Sequence, residues 1–506
     1  MFIERPSTVP PSAPARRRAR ALMGRPAVLA SAALTLVGCT MGPDYQRPEV
    51  TTPGVYRDGP DIPDAASIAD QPWWEVFGDP ALIALVDDAL RNNYNLRAAI
   101  ARIEQARGLR AQARSGLFPR LGYDSVVSRG RNEFLGVPAP NGGDTSTGGF
   151  VGLTAFWELD IWGRIRRSDE AALARMASFE EDRRAVMLSL VSEVAQLYFQ
   201  LLGLDLQMEI ARRSTASFAE SLSLFERRAR GGQDSELPSM RARAALAGAE
   251  ITIPQVEIDI AITENAINVL LGRAPGPIDR PRALADQIVA PEVPVGLPSQ
   301  LLERRPDVRL REQQMIAANA EVGVALANYF PRLSLTGILG GASPELTAID
   351  GGAGSLWSIA AGLTGPIFEG GRLKGQEVAA RARLEEAIAN YQQSVLRALE
   401  DVSDAIITRE KLVEVERGLV IAVDSLTTSV SMSTDRFLSG LSGYFEVLEA
   451  QQQLFPAEQA LATTRTQKLL VLVQLYRALG GGWNLADEQW TSDGGTPPPE
   501  GEPEPK

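Results

Sequence analysis

The sequence predicts a mainly α-helical chain with a membrane β-barrel contribution, built as two tandem repeats of a short helix, a β-hairpin and two long helices. The repeat comes first. Phe330-Pro331-Arg332-Leu333 echoes Phe118-Pro119-Arg120-Leu121 at an offset of 212 (330 − 118), and Gly371-Arg372 echoes Gly163-Arg164 at 208 (371 − 163). The offset of 208 then holds through Arg228 and Arg436, Gly232 and Gly440, and Leu271-Gly272 and Leu479-Gly480. A constant offset over about 110 residues marks an internal duplication, and a hairpin loop absorbs the four-residue difference. Near-heptad stripes such as Val186, Leu190, Val194, Leu197, Leu201, Leu204 and Met208 predict long packed helices. Period-two stretches in matching places of both copies predict the hairpins.

In order, residues 1–38 read as an export signal: Arg16, Arg17, Arg18, Arg20 and Arg25 precede the apolar run Ala27 to Val37, which is too short to span a bilayer. Met1 and Met23 both stand as candidate starts. Leu36-Val37-Gly38-Cys39 resembles the bacterial lipoprotein processing box, so Cys39 is expected to carry a covalent diacylglyceryl and acyl lipid. Residues 39–80 are proline-rich and expected to run extended.

Repeat 1 spans 81–272. Asp79-Pro80 opens a helix that carries Leu82, Leu85, Val86, Ala89 and Leu90, breaks near Asn92-Asn93 and lasts to Ser115. A hairpin at about 118–162 places Leu121, Tyr123, Ser125 and Val127 on one face, with Val151, Leu153, Ala155, Trp157, Leu159 and Ile161 beside them. Gly152, Thr154, Glu158 and Asp160 form its wetter side, where Glu158 and Asp160 are expected to cap the strand-to-helix corner near Gly163, the alternative being that they line the lumen. Long helices at about 165–272 turn at Gly231-Gly232. A linker, 273–298, holds six prolines.

Repeat 2 spans 299–482, with a hairpin at about 330–370 pairing Leu333, Leu335 and Leu339 with Ile359, Ala361, Leu363 and Ile367. Its long helices at about 372–480 are joined by the turn in Arg436 to Glu449. Residues 483–506 are expected to be a disordered tail.

Composition excludes several functions. With 51 basic against 63 acidic residues the net charge is −12, so nucleic acid is not an expected partner. Histidine is absent and cysteine occurs once, which removes support for metal sites, cofactor chemistry and Ser-His-Asp catalysis. No enzyme is expected. Strands that cross lipid must close into a barrel, and four per chain fall short of the smallest known barrels at about eight. Several chains must therefore share one barrel, two giving about eight strands and three about twelve.

Cys39-Thr-Met-Gly-Pro-Asp-Tyr-Gln-Arg-Pro, Trp157-Glu-Leu-Asp-Ile-Trp-Gly-Arg164, Arg304-Arg-Pro-Asp-Val-Arg309, Pro366-Ile-Phe-Glu-Gly-Gly-Arg372 and Gly480-Gly-Gly-Trp-Asn484 resemble the TolC/OprM outer-membrane efflux family, in its NodT-like lipoprotein branch. The resemblance runs in order through nearly the whole chain after the signal. It implies a homotrimer with a 12-stranded barrel in outer-membrane lipid and an α-helical tunnel in the periplasm. It also implies docking to a periplasmic adaptor and an inner-membrane resistance-nodulation-division pump, which supplies the energy for passive export of small molecules such as drugs and toxic compounds.

The resemblance further implies a periplasmic gate at Arg436, Phe437, Glu446 and Glu449. Their spacing puts Glu446 and Glu449 on one helical face, where three copies would make acidic rings, and Arg436 would offset their repulsion. The first repeat has Pro238 and Arg241 at the positions of Glu446 and Glu449, so negative charge belongs to the second turn. A duct for type I protein secretion shares this architecture. A lipid-anchored periplasmic adaptor or structural coiled coil would explain the helices but not two amphipathic hairpins.

Overall fold

The computed structural model describes residues 40–57, 59, 67–131, 145–232, 235–287, 294–343, 354–482 and 484. Cys39, the expected signal, most of the two hairpin loops, Trp483 and the tail beyond Asn484 lie outside the described residues. The described residues divide into two units: a β unit drawn from 40–42, 117–166 and 326–369, and a helical unit drawn from 43–116, 167–325 and 370–484.

In the β unit, β1 (Arg120–Arg131), β2 (Thr145–Leu159), β3 (Arg332–Ser343) and β4 (Ser355–Thr364) form one antiparallel sheet in the order β1-β2-β3-β4. Tyr123 pairs with Leu153, Leu153 with Leu339, and Leu339 with Trp357. Directly opposed residues share a face, so one apolar surface crosses all four strands and both repeats. Tyr123 is 83% exposed, Ile359 81% and Trp357 75%. The opposite face is mixed: it carries Gly152, Thr154, Ser334 and Thr336 as well as Val126, Phe156 and Ile338. Among the described residues β1 and β4 each leave one edge unpaired.

Two expected strand residues lie outside the sheet. Ile161 follows the end of β2, because the Asp160 carboxylate accepts from the Ile165 and Arg166 amides at 3.0 and 2.8 Å and so starts the next helix. Ile367 lies beyond β4 and is fully exposed, since Pro366 has no N–H to continue a ladder. Glu158 chelates Arg164 through contacts of 2.9 Å, so both acids act at the corner. Gly163 turns that corner at φ +74°, and a Cβ there would sit 2.6 Å from Thr40 Cγ2. The strap after Cys39 is fastened nearby, with the Met41 amide donating to the Trp162 carbonyl at 3.0 Å.

The helical unit begins with strap residues Pro43 to Arg47. Arg47 and Tyr45 both donate to Glu312, at 2.7 and 2.8 Å, and Asn319 donates to the Pro43 carbonyl at 2.9 Å. The expected extended segment is interrupted before residue 80 by a 3-10 turn at Ile68–Asp70 and by helix α1 (Trp73–Phe77). A Ser67/Asp70 capping box starts the turn, and Trp73 is fully buried.

Next come α2 (Pro80–Asn92), α3 (Tyr94–Ser115), α4 (Arg164–Arg230, whose first three residues belong to the β unit) and α5 (Leu237–Leu270). The second repeat supplies α6 (Leu301–Arg304), α7 (Pro306–Ala327), α8 (Arg372–Leu438) and α9 (Phe445–Ala478). The α4 and α8 helices have 67 residues each, roughly 100 Å at 1.5 Å per residue. Although α4 is long and apolar enough to cross a membrane by composition, its stripe is core: Val191, Val194, Tyr198 and Leu201 are fully buried. They pack in one cluster with Trp73, Val86, Ile267, Val308, Val402 and Val473, so both repeats and the strap share a single core.

Candidate gate at the helix turns

Helix α8 stops because Gly440 adopts φ +73°, a left-handed conformation that costs glycine little. The Leu441 amide donates back to the Arg436 carbonyl at 2.9 Å, and the Gly440 amide to the Phe437 carbonyl at 3.0 Å. This double closure is the Schellman pattern. Gly232, at φ +66°, ends α4 in the equivalent place. Helix α9 restarts at Phe445, so Arg436 and Phe437 close one helix while Glu446 and Glu449 open the next.

The fold brings Arg436 and Glu446 together at 3.8 Å, both side chains being half-exposed. Glu449 lies one turn further on the same helix, exposed, with Gln453 donating to it at 3.5 Å. Phe437 faces elsewhere. Its ring meets Tyr444 edge-on at 5.1 Å, and the Arg228 guanidinium sits 5.2 Å over it. Tyr444 in turn packs on Phe225 at 4.1 Å and donates its hydroxyl to Ser221. Gln451 ties the same place down by donating to Ser217 at 3.0 Å. Burial pushes the Tyr444 phenol above its ordinary pKa, so it stays a neutral donor. Arg241 covers the Phe445 ring at 5.6 Å. A cleft of about 310 Å³ opens between these groups, lined by Phe225, Arg228, Arg241, Phe437 and Tyr444.

Tyr444, Phe225, Ser221 and Arg228 were not among the residues expected at this site. A signal for them exists: Ser217, Ser221, Phe225 and Arg228 recur at spacings of four, four and three, which aligns them on one face of α4. Among the described residues no group of acidic side chains has the arrangement of a metal site.

A family model described as outer membrane efflux protein matches residues 85–273 and 297–481, one block for each repeat. The chain belongs to that family. The toluene efflux pump outer membrane protein TtgI of Pseudomonas putida is 34% identical over 462 residues, covering 90% of this chain and 98% of TtgI. The cation efflux system protein CusC of Escherichia coli is 30% identical over 455 residues, covering 89% and 97%. The open-state channel MtrE of Neisseria gonorrhoeae superposes with a TM-score of 0.80 at 30% identity, covering 88% of this chain and 99% of that one. This efflux protein therefore has the fold of the outer-membrane efflux channels, mainly helical with a small antiparallel sheet, and it functions as an outer-membrane efflux channel.

Proposed function

We propose that three copies of this protein assemble into one passive duct, their sheets closing a twelve-stranded barrel in the outer membrane and their long helices lining a periplasmic tunnel. The sheet carries the reading. Among the described residues it has four strands, two unpaired edges and an exposed apolar face that runs unbroken through Tyr123, Leu153, Leu339 and Trp357. Such a sheet can reside in lipid only when both edges are paired, and three copies give a barrel wide enough to hold water.

An inner-membrane pump and a periplasmic adaptor deliver small toxic molecules to the duct. TtgI, named for toluene, and CusC, named for cations, are about equally similar to this chain. Similarity therefore supports the duct without fixing its cargo. Cys39 carries the lipid that adds a second membrane attachment beside the barrel. Arg436, Phe437, Glu446 and Glu449 form the constriction where the tunnel meets the adaptor.

The test is purification of the tagged full-length protein from outer membranes. A heat-resistant trimer band that copurifies with an adaptor and a pump is the expected result. A monomer, or fractionation with soluble periplasmic protein, refutes the proposal.

A further inference from the structure

The duplication supplies a template for a junction that one chain cannot complete alone. Where the repeats meet, β2 pairs with β3 through Leu153 and Leu339, and through Leu159 and Leu333 at the helix end of the sheet. Just past this ladder Trp162 stacks on Phe330, with ring centroids 4.6 Å apart and planes at 26°, and its indole N–H donates to the Pro331 carbonyl at 2.8 Å. The parts of a second such junction stand at the two unpaired edges. Phe118, the equivalent of Phe330 (330 − 212), precedes β1 and is 58% exposed. Beyond β4, Ile367 and Phe368 are 103% and 90% exposed, at the places where the first repeat has Leu159 and Asp160. Arg120 pairs with Phe156, and Arg332 with Thr364, so the start of β1 and the end of β4 lie at the same end of the sheet on opposite edges.

We infer that the seam between copies repeats the β2–β3 junction: β4 of one copy pairs with β1 of the next in the register that opposes Ala361 to Val127, and Phe368 of the first copy packs on Phe118 of the second. The inference rests on the duct reading given above. Carrying Leu153 and Leu339 across by the two offsets (153 + 208 and 339 − 212) gives Ala361 and Val127, and the same step sets Leu363 against Ser125 and Ile359 against Arg129. Opposed residues share a face, and Val127 lies on the face of Tyr123 while Ala361 lies on that of Trp357. The apolar face therefore continues unbroken across the seam, whereas a slip of one residue would set it against the mixed face. Trp162 itself is matched by Gly370, which offers no ring. Phe368 stands two residues earlier, a shift that an aromatic side chain spans diagonally between paired strands. The second corner has thus exchanged the helix-capping acid Asp160 for a ring. That ring stays in water until a neighbouring copy covers it.

Cysteine cross-linking of the full-length protein in outer membranes reads the register. A361C/V127C should give a heat-resistant, reductant-sensitive covalent trimer on oxidation, because opposed Cβ atoms stand about 4.5–5.5 Å apart, near disulfide reach. L363C/V127C and A361C/R129C, displaced by two residues on the same face, should link at least about tenfold more slowly across about 7–8 Å. Faster linking of either displaced pair overturns the register. Heat dissociation of the trimer reads the rings. A ring pair is worth about two- to twelvefold in an equilibrium, and release of one copy breaks two seams, so F368L and F118L should each speed dissociation about fivefold or more. The double variant should go no further than the larger single, and F368W should stay within about twofold of wild type. A361C/V127C linking in the F368L background shows that the variant has folded and assembled. Unchanged dissociation rates, or additive effects as for two rings inserted separately in lipid, overturn the ring contact. Absence of any trimer from the wild-type protein overturns the duct reading instead.

Discussion

The fully buried carboxylate of Asp79 offers the sharpest test of how the helical unit is held. One of its oxygens accepts from the Ala81 and Leu82 amides at 2.8 and 3.4 Å and so caps α2. The other accepts from the Tyr198 hydroxyl at 3.0 Å and from the Gln287 amide at 2.8 Å. One group thereby ties together the first helix of repeat 1, the long helix α4 and the linker. Tyr198→Phe keeps the ring and removes only the hydroxyl donor. A hydrogen bond to a charged group contributes about 1.5–3 kcal/mol, which is about a 10- to 140-fold change in an opening equilibrium. Hydrogen exchange of the α2 amides reads that opening directly. Those amides should exchange faster by this factor in Y198F, while amides of α7 keep wild-type protection. Asp79→Ala loses the cap as well, about 0.5–2 kcal/mol more, and leaves the Tyr198 hydroxyl buried without its acceptor. In the D79A background Y198F should then add no further acceleration and, by removing the orphaned hydroxyl, should restore part of the lost protection. Equal effects of Y198F in both backgrounds, or less than about threefold acceleration in wild type, refute the coupling.

R436A/E449A should raise single-channel conductance or sensitivity to large antibiotics, and unchanged conductance in bilayers removes these two residues from the gate. Arg305 is buried, pairs with Asp307 and Asp401 at 2.7 and 2.9 Å and donates to the last-turn carbonyl of Ala478 at 3.1 Å; because both acids are half-exposed, R305A should cost only about 1–3 kcal/mol, read as a lower urea midpoint. Burial raises the Asp307 carboxyl but Arg305 outweighs it, so its pKa lies below the usual value; the stability it adds is present above about pH 4 and is lost as acid titrates it, and D307N should flatten acid unfolding in that range. G163A forces a left-handed alanine against Thr40 and should lower the yield of heat-resistant oligomer.

The duplication, the helix ends and both hairpins were legible because each leaves a local mark. Gly232 and Gly440 end helices through their own conformation, and Asp79-Pro80 announces a start. Period two shows which residues share a face, but it carries no information on where a strand stops. It was therefore extended one step past Asp160 and Pro366 to Ile161 and Ile367. Nor does it name neighbours. The β2–β3 pairing that joins the repeats, Leu153 to Leu339, links residues 186 positions apart (339 − 153), beyond the reach of a local pattern. The same limit applied at the turn, where Tyr444 and Ser221 are 223 residues apart and only the fold of both repeats brings them together.

This division also decides which forces hold the turn. Arg436, expected to offset the acidic rings of Glu446 and Glu449, pairs with Glu446 at 3.8 Å with both side chains half-exposed. Such pairs contribute about 0–1 kcal/mol and weaken with salt. The aromatic residues Phe225, Tyr444 and Phe437 meet at 4.1 and 5.1 Å in edge-on geometry, around a part-buried hydroxyl pair. Each such ring pair is worth about 0.5–1.5 kcal/mol beyond the area it buries, and salt screens these contacts far less. Position in this turn is therefore set by the aromatic cluster. The charges of Arg436, Glu446 and Glu449, left in contact with water, contribute little to that position and stay available for the gate role proposed above.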